Sequence, residues 1–380
     1  LNGPPTEHFR DNLRNDTKYI TGFLGGGWTN DFMTFVNMIY LGILTERVPI
    51  IGPFLPTHIG WNESLLPFSE IFDTERLSEL LDLPIIEWWQ VKDQSSSQID
   101  ALGCWSPWAV SGPDNMFRGN GRWLDFGLDP SFTPTPRDVN YYDGPGDWHI
   151  RFWPLAELGF PSGRAREHGE TWPSTYLGVT LEPDEQVLCY DFLYYAVADR
   201  PSEWNEDYSP AWRFVGTHVH WSAWVEGLAK EYLRRIFGVK QDADVPPFIS
   251  VHVRRNDFTG WCPPGAPQEE CFAPLSAYAR RVEEVREELL ITRGITADHV
   301  IMTSDERDPA WWDEVRALGW KFADHAAEQT SGKYGKWYPP VLDACFQSMG
   351  AGFVGTAEST MSNVAKRRVQ DWNNGVARTV

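Results

Sequence analysis

The chain has 380 residues, of which 42% are hydrophobic and 23% are charged, so it is long enough and apolar enough for two folded domains with separate cores. It carries 33 basic and 53 acidic residues, and the formal net charge of −20 argues against nucleic acid as the main partner, because phosphate binding needs a basic field. No apolar stretch approaches the roughly 20 residues that cross a bilayer, so we expect no membrane span in this chain.

The first half of the chain opens with a strand, a helix and a second strand. Residues 19–24 are predicted to form a strand, and three glycines at positions 25–27 form a tight loop after it. Residues 29–47 place their apolar side chains at helical spacing in one wide stripe, which predicts a helix. Val48–Ile51 is the next predicted parallel strand. Residues 55–210 are rich in Pro, Gly and Trp and follow no period, so we predict no regular elements there.

The second half alternates between helices and strands. The predicted helices are residues 217–237, 275–293, 309–318, 338–349 and a last one from residue 361 onward. The predicted strands are residues 248–253, 299–303, 320–323 and 351–355. This alternation predicts an α/β protein with two Rossmann-like domains, parallel sheets and an intervening cleft. We place the N-terminal domain, with its Trp/Pro/Gly-rich insertion, at residues 1–212 and the C-terminal domain at residues 213–380.

The strand at residues 248–253 is the most informative segment for function. It is apolar and β-branched, which predicts a short buried strand. Because strand side chains alternate, His252 and Arg254 emerge on the same face where the strand ends, and Arg255 follows. Two guanidiniums at the carboxyl end of a buried strand favour an anionic ligand, since arginine matches phosphate oxygens with a fixed fork of donors. The alternative is an ion pair with Asp257 that only ties down the loop.

The glycine loop opens the first predicted helix with the run Gly25-Gly26-Gly27-Trp28-Thr29-Asn30-Asp31. Glycines between a strand and a helix let a ligand approach backbone N–H groups at the positive helix end. The run lacks the Gly-Lys-Ser/Thr of a Walker loop and the third glycine of the dinucleotide motif, which argues against NAD and FAD. The alternative is a packing turn that Thr29 or Asn30 caps.

Two further polar segments follow predicted strands of the C-terminal domain. Residues 303–306, Thr-Ser-Asp-Glu, form an acidic turn whose Asp305 carboxylate can hold a ribose diol or cap the next helix. Residues 355–362 bring four hydroxyl groups to the start of the last helix, where they can bind phosphate or act as caps. Phosphate, ribose and cap features at successive strand ends of one domain predict a site for a nucleoside diphosphate.

Two pairs of residues bear on the cellular compartment. Cys262 and Cys271 bracket a Pro/Gly-rich loop, and their spacing suits a loop-closing disulfide without the partner ligands of a zinc site. Asn15 and Asn62 each begin a glycosylation sequon. Together these features favour an oxidising compartment, which is the lumen of the secretory pathway or the exterior of the cell.

These motifs resemble the donor-site motifs of GDP-fucose-dependent fucosyltransferases, both the protein O-fucosyltransferases and the α1,6-fucosyltransferases. The resemblance covers residues 248–372 and residues 21–54. It implies a GT-B-like fold, inversion at the anomeric carbon, GDP-fucose or GDP as the nucleotide ligand, and no required metal or other cofactor. The residues that carry it are His252-Val-Arg254-Arg255-Asn-Asp257, Ser304-Asp305, Leu342-Asp343 and Ser359-Thr360-Met361-Ser362.

The resemblance also implies roles for individual side chains. Arg254 would bind the β-phosphate of the donor, His252 the guanine or its backbone edge, and Asp305 the base or ribose. Asn30 matches an asparagine that faces the reacting centre, and the predicted catalytic residues are therefore Arg254, Asn30 and Asp31. The rest of the predicted donor-binding set is Gly26, Gly27, Arg255, Asp257, Asp343, Ser359, Thr360 and Ser362.

The general base departs from the pattern of some family members, which carry a glutamate just before the glycine loop. Leu24 and Gly25 occupy this place here, and Asp31 is the nearest carboxylate. Stabilisation of the departing GDP by Arg254 would allow a loose, oxocarbenium-like path in which a weak base suffices.

The predicted function is transfer of fucose from GDP-fucose to a hydroxyl of a protein or glycan acceptor. The C-terminal domain is expected to bind the donor and the N-terminal domain the acceptor. One alternative is the same fold with another deoxysugar donor, such as a nucleotide-linked rhamnose. The other is a catalytically silent protein that binds a sugar or a nucleotide.

Overall fold

The computed structural model describes residues 1–22, 25–111, 122–140, 148–201, 203–206, 209–263, 265 and 271–380. Within these ranges the chain forms two compact units, Leu1–His220 and Trp221–Val380. Both units contain parallel β-sheet and α-helix, which confirms the predicted α/β class. None of the described helices is both long and apolar enough to cross a lipid bilayer.

The main sheet of the first unit has six parallel strands in the order β3-β2-β1-β7-β4-β5, and a separate parallel pair joins β6 to β8. The strands are β1 (Tyr19–Gly22), β2 (Val48–Ile51), β3 (Ile86–Glu87), β4 (Asp100–Ser106), β5 (Leu128–Pro134), β6 (Ile150–Arg151), β7 (Val187–Tyr190) and β8 (Ala196–Val197). The α-helices in the described part of this unit are α1 (Phe9–Asn12), α2 (Trp28–Thr45), α3 (Phe68–Ile71), α4 (Thr74–Leu81), α5 (Trp88–Val91), α6 (Trp108–Ser111), α7 (Phe152–Glu157), α8 (Pro161–Arg164) and α9 (Pro210–Phe214).

Helix α2 is mostly buried and fixes the amino ends of two strands. It ends at Glu46, whose φ of 54° turns the chain towards β2. The next residue, Arg47, is 1% exposed and donates hydrogen bonds to four carbonyl oxygens. These oxygens belong to Tyr19, Gly159, Glu185 and Gln186. The buried guanidinium therefore satisfies backbone acceptors at the starts of β1 and β7.

Four strands of the six-stranded sheet lie in the segment where the sequence predicts no regular elements, namely β3, β4, β5 and β7. Pro130 lies within β5, at the edge of the sheet, where the missing N–H of proline is tolerated. A disulfide between Cys104 and Cys189 joins β4 to β7, with Cα atoms 4.6 Å apart. The spacing of the cysteines gives no indication of this pair, because they are 85 residues apart.

The second unit contains a four-stranded parallel sheet in the order β10-β9-β11-β12. Ile249, Val251 and Val253 face helix α11 in the core, as strand alternation predicts. The strands are β9 (Phe248–Val253), β10 (His299–Ser304), β11 (Gly352–Gly355) and β12 (Val376–Thr379). The described α-helices bounded in this unit are α10 (Ala223–Phe237), α11 (Leu275–Arg293), α12 (Pro309–Ala317), α13 (Thr330–Tyr334), α14 (Tyr338–Met349) and α15 (Thr360–Asn373).

Some predicted elements of the second unit differ from the structure. Residues 320–323 form a single bridge, Lys321 with Ile301, instead of the predicted strand. The reason is that Phe322 packs on α12 against Trp312, with ring centroids 4.5 Å apart, which turns the chain away from the sheet. The helix predicted at residues 217–237 begins only at Ala223, after a 3₁₀ turn at Gly216–His218. Strand β12 has no counterpart among the predicted strands.

Candidate functional site

Three neighbouring strands of the second unit end in polar residues. Arg254 follows β9, Asp305 follows β10 and Thr356 follows β11. Since β9 is parallel to both neighbours, these residues lie along one edge of the sheet. The backbone N–H of Arg254 donates to Thr356 Oγ1 at 2.9 Å, and that of Arg255 donates to Asp305 Oδ1 at 2.8 Å. The arginine strand, the acidic turn and the hydroxyl loop therefore form one cluster.

His252 is buried beneath this edge. Its Nδ1 lies 2.8 Å from Ser362 Oγ, and the same oxygen accepts a hydrogen bond from the backbone N–H of Thr356 at 3.1 Å. Burial, together with the neighbouring charge of Arg254, lowers the pKa of His252 to about 3. The ring is therefore neutral at physiological pH and carries one donor and one acceptor nitrogen. Such a ring fits recognition and positioning rather than proton transfer.

The Arg254 side chain is held between two carboxylates. Its Nε and Nη2 donate to the two oxygens of Asp257, both at 2.7 Å, and its Nη1 lies 3.2 Å from Asp305 Oδ2. The contact with Asp257 uses the side-on edge of the guanidinium. The end-on edge, with one N–H from each terminal nitrogen, can still engage an anion with two parallel hydrogen bonds. The loop ion pair and the anion site are therefore compatible.

Arg255 is engaged away from this edge. Its Nε lies 2.5 Å from Glu306 Oε2, and its Cζ lies 4.8 Å from the ring centroid of Phe272. Glu306 also accepts hydrogen bonds from the backbone N–H groups of Arg307 and Asp308. Burial alone raises the pKa of Glu306, but these groups and Arg255 outweigh it and lower the pKa overall. The contacts indicate that Arg255 stabilises the acidic turn, and its contact with a donor stays a prediction.

The hydroxyl loop opens helix α15. Ser359 is the N-cap, and its Oγ accepts a hydrogen bond from the backbone N–H of Ser362 at 3.5 Å. Both serines are buried, whereas Thr360 is half-buried at the first helical position. The serine hydroxyls therefore shape the helix start and hold His252. The N–H groups of the first turn, which have no partner within the helix, and the Thr360 side chain are the groups placed to meet an anion.

Two members of this cluster, Thr356 and Tyr278, are absent from the predicted site residues. Besides the N–H of Arg254, Thr356 Oγ1 contacts the carbonyl oxygen of His252 at 3.2 Å and the hydroxyl of Tyr278 at 2.8 Å. Burial raises the pKa of Tyr278, which keeps the phenol neutral. Tyr278 lies on the apolar stripe of α11, where spacing alone predicts only a packing residue. Its polar tip among aliphatic side chains is the signal that could have marked it.

Asp343 lies on helix α14, where its hydrogen-bond partner is His325. His325 Nε2 is 3.0 Å from Asp343 Oδ1, and Nδ1 is 3.1 Å from Thr330 Oγ1. Burial lowers the pKa of His325, but the Asp343 carboxylate outweighs this effect and raises the pKa overall. The structure therefore places Asp343 in a pair of its own, and its contact with a donor stays a prediction.

In the first unit, the glycine loop leads into helix α2. Asp31 is 1% exposed, and its Oδ1 and Oδ2 accept hydrogen bonds from the backbone N–H groups of Gly26 at 3.0 Å and Leu55 at 3.4 Å. Burial raises the pKa of Asp31 well above its ordinary value. These contacts indicate that Asp31 holds the loop. Asn30 is half-buried, and its Cβ lies 3.0 Å from the position that a Cβ on Gly26 would take.

A second buried carboxyl lies at the carboxyl edge of the first sheet. Asp191 follows β7, and its oxygens accept hydrogen bonds from Ser106 Oγ and from the backbone N–H of Trp108 at 3.4 Å. Ser106 Oγ also accepts from the backbone N–H of Ala109 at 3.1 Å. Burial raises the pKa of Asp191 to about 7, although its hydrogen bonds lower it. The two side chains together cap helix α6.

The other predicted features are placed as follows. A disulfide joins Cys262 to Cys271, with Cα atoms 5.5 Å apart. Asn15 and Asn62 are exposed, as an acceptor of N-linked glycans must be. In the part of the chain that the structure describes, no group of three or more His, Cys, Asp or Glu side chains is arranged to hold a metal ion.

Comparison with solved structures places this fold among the GT-B-like fucosyltransferases. POFUT1 in complex with GDP matches with a TM-score of 0.58 and 14% identity, over 96% of this chain and 99% of that one. POFUT1 in complex with GDP-fucose matches with a TM-score of 0.56 and 13% identity, over 97% and 99% of the two chains. No protein-family model matches the sequence, and no curated protein is significantly similar to it. The fold is therefore that of the fucosyltransferase superfamily, as the motifs predict, at low sequence identity.

Proposed function

We propose that the protein is an inverting glycosyltransferase that transfers fucose from GDP-fucose to a hydroxyl of a protein or glycan acceptor. The observation that carries this proposal is the cluster at the carboxyl ends of β9, β10 and β11. It combines a neutral His252, an oriented Arg254 and the opening of helix α15. The fold shared with POFUT1, which has been solved with GDP and with GDP-fucose, supports the same assignment.

The second unit would bind the donor. The end-on edge of Arg254 would donate to the β-phosphate, and the N–H groups of the first turn of α15 with Thr360 would supply further donors. His252 would position Ser362 and offer its second ring nitrogen to the nucleotide. Asp305, which already fixes the backbone of Arg255, would meet the base or ribose.

The reaction would invert the anomeric carbon. The acceptor oxygen forms a bond to that carbon while its bond to the β-phosphate oxygen breaks, and GDP leaves with the electron pair. Negative charge grows on the departing oxygen, so a guanidinium beside it binds the transition state more tightly than the ground state. The proposed mechanism uses no metal, because Arg254 and the helix terminus supply the positive charge.

The first unit would bind the acceptor, with Asn30 at the reacting centre and Asp31 holding the glycine loop. Two disulfides and two exposed sequons support a location in the lumen of the secretory pathway or outside the cell. Both features need an oxidising, glycosylating environment to form.

A thermal-shift panel tests the donor assignment. GDP and GDP-fucose should raise the unfolding temperature by a few degrees at concentrations near 100 times Kd, where binding adds about 2.7 kcal/mol. UDP-sugars and dTDP-sugars should have no effect, and Arg254→Ala should abolish the shift with GDP. A larger shift with dTDP-rhamnose would identify a different donor. Absence of any shift with all of these ligands would overturn the proposal.

A further inference from the structure

His58 lies on a closed loop beside the glycine loop. The loop spans residues 54–66, and its ends pair through hydrogen bonds from Phe54 N–H to Leu66 O (2.8 Å) and from Leu66 N–H to Phe54 O (3.2 Å). The N–H of Leu55, at its base, donates to the carboxyl of Asp31. The loop is therefore fastened to itself and, through Asp31, to the start of helix α2.

The imidazole of His58 covers Gly27. A Cβ on Gly27 would lie 3.0 Å from Cδ2 and 3.1 Å from Nε2 of His58. Gly27 is the N-cap of α2, and its φ of −69° and ψ of 157° are accessible to any residue. Backbone strain therefore does not explain the glycine, whereas the close approach of the ring does. Two segments about 30 residues apart in sequence are fitted so that an imidazole edge reaches the loop.

His58 is also the side chain at this loop that is suited to take up a proton. Asp31 is buried, with both oxygens bound to backbone N–H groups, and the amide of Asn30 is not basic. His58 is exposed, and neither ring nitrogen hydrogen-bonds to any residue that the structure describes. Imidazole is the commonest general base in enzymes.

We propose that His58 accepts the proton of the acceptor hydroxyl during transfer. The inference rests on the proposed function and supplies the base that the chain lacks before its glycine loop. As the acceptor oxygen bonds to the anomeric carbon and GDP leaves with the electron pair, the O–H bond breaks and its proton passes to a ring nitrogen of His58. Water around the exposed ring then hydrates the imidazolium and screens it from the positive end of α2.

The test uses water and added methanol as the hydroxyl probes. Single-turnover release of GDP from GDP-fucose should fall about 10²-fold in both His58→Ala and His58→Gln, because glutamine offers a hydrogen bond but takes up no proton. Imidazole added to the buffer should restore release by His58→Ala, which leaves space for it, more than release by His58→Gln. The affinity for GDP-fucose should be unchanged.

Glu63→Gln is the matched control, since Glu63 lies on the same loop beside Gly60. Its GDP release should stay within about twofold of wild type, and circular dichroism should show all three variants folded. Wild-type release by His58→Ala, full activity of His58→Gln, or loss of activity in Glu63→Gln alone would overturn the assignment of His58. If the wild-type protein neither binds GDP-fucose nor releases GDP from it, the proposed function itself fails, which is a distinct outcome.

Discussion

Arg254→Ala should slow the departure of GDP far more than it destabilises the second unit. The internal contacts that are lost join Arg254 to Asp257, whose carboxylate is 45% exposed, and to Asp305. Both carboxylates stay partly hydrated, so the free energy of unfolding should fall by about 1 kcal/mol or less. The lost contact with the departing phosphate is an electrostatic one of about 3–4 kcal/mol, which corresponds to 10²–10³ in rate. Arg254→Lys should recover little, because a point charge does not reproduce the fork.

The assay is single-turnover release of GDP from GDP-fucose, with urea denaturation to measure stability. Asp257→Asn is the matched control, because it removes the internal partner of Arg254 and leaves the guanidinium in place. It should lose less than about tenfold in rate, since the positive charge is kept. Near-wild-type release by Arg254→Ala would refute the reasoning and leave Arg254 as the ion-pair partner of Asp257.

Three further predictions concern other parts of the chain. Asn30→Ala should bind GDP-fucose normally in calorimetric titrations while single-turnover transfer drops sharply; unchanged turnover would remove Asn30 from the mechanism. Burial raises the folded-state pKa of Asp191 from 3.8 to about 7, so its contribution to stability is complete below about pH 4 and is lost as the pH rises to 7. Urea unfolding between pH 4 and 8 should therefore show wild type losing up to about 4 kcal/mol relative to Asp191→Asn, whereas parallel pH profiles would contradict this. Thiol labelling of the unreduced, denatured protein should leave Cys262 and Cys271 unmodified, and serine at both positions should cost on the order of 2–3 kcal/mol; a labelled thiol at either position would disprove the pair.

The donor cluster is predictable from the sequence because its parts are local. Strand alternation alone puts His252 and Arg254 on the face opposite Ile249, and the run of hydroxyls at residues 359–362 marks the start of a helix. Parallel strands then bring these segments to one edge. Thr356 and Tyr278 complete the cluster through side-chain contacts between distant segments, which no local pattern encodes.

The first unit is less predictable for two physical reasons. Pro130 in β5 and Gly103 in β4 contradict ordinary strand preferences, and each depends on its place in the sheet. Pro130 is tolerated at the sheet edge, and a Cβ on Gly103 would lie 1.9 Å from the carbonyl oxygen of Glu182. The contact of His58 with Gly27 likewise exists only after two loops have folded together.

The position of β7 has a consequence for how this protein is made. β7 pairs with both β1 and β4, yet it is the last strand of the sheet to leave the ribosome. Until residue 190 has emerged, the inner edges of β1 and β4 lack the strand that pairs with them, and unpaired edges are prone to intermolecular association. A nascent chain that stops short of Val187 therefore holds two sheet halves without their shared central strand. We expect nascent-chain chaperones to be needed most over this interval of synthesis.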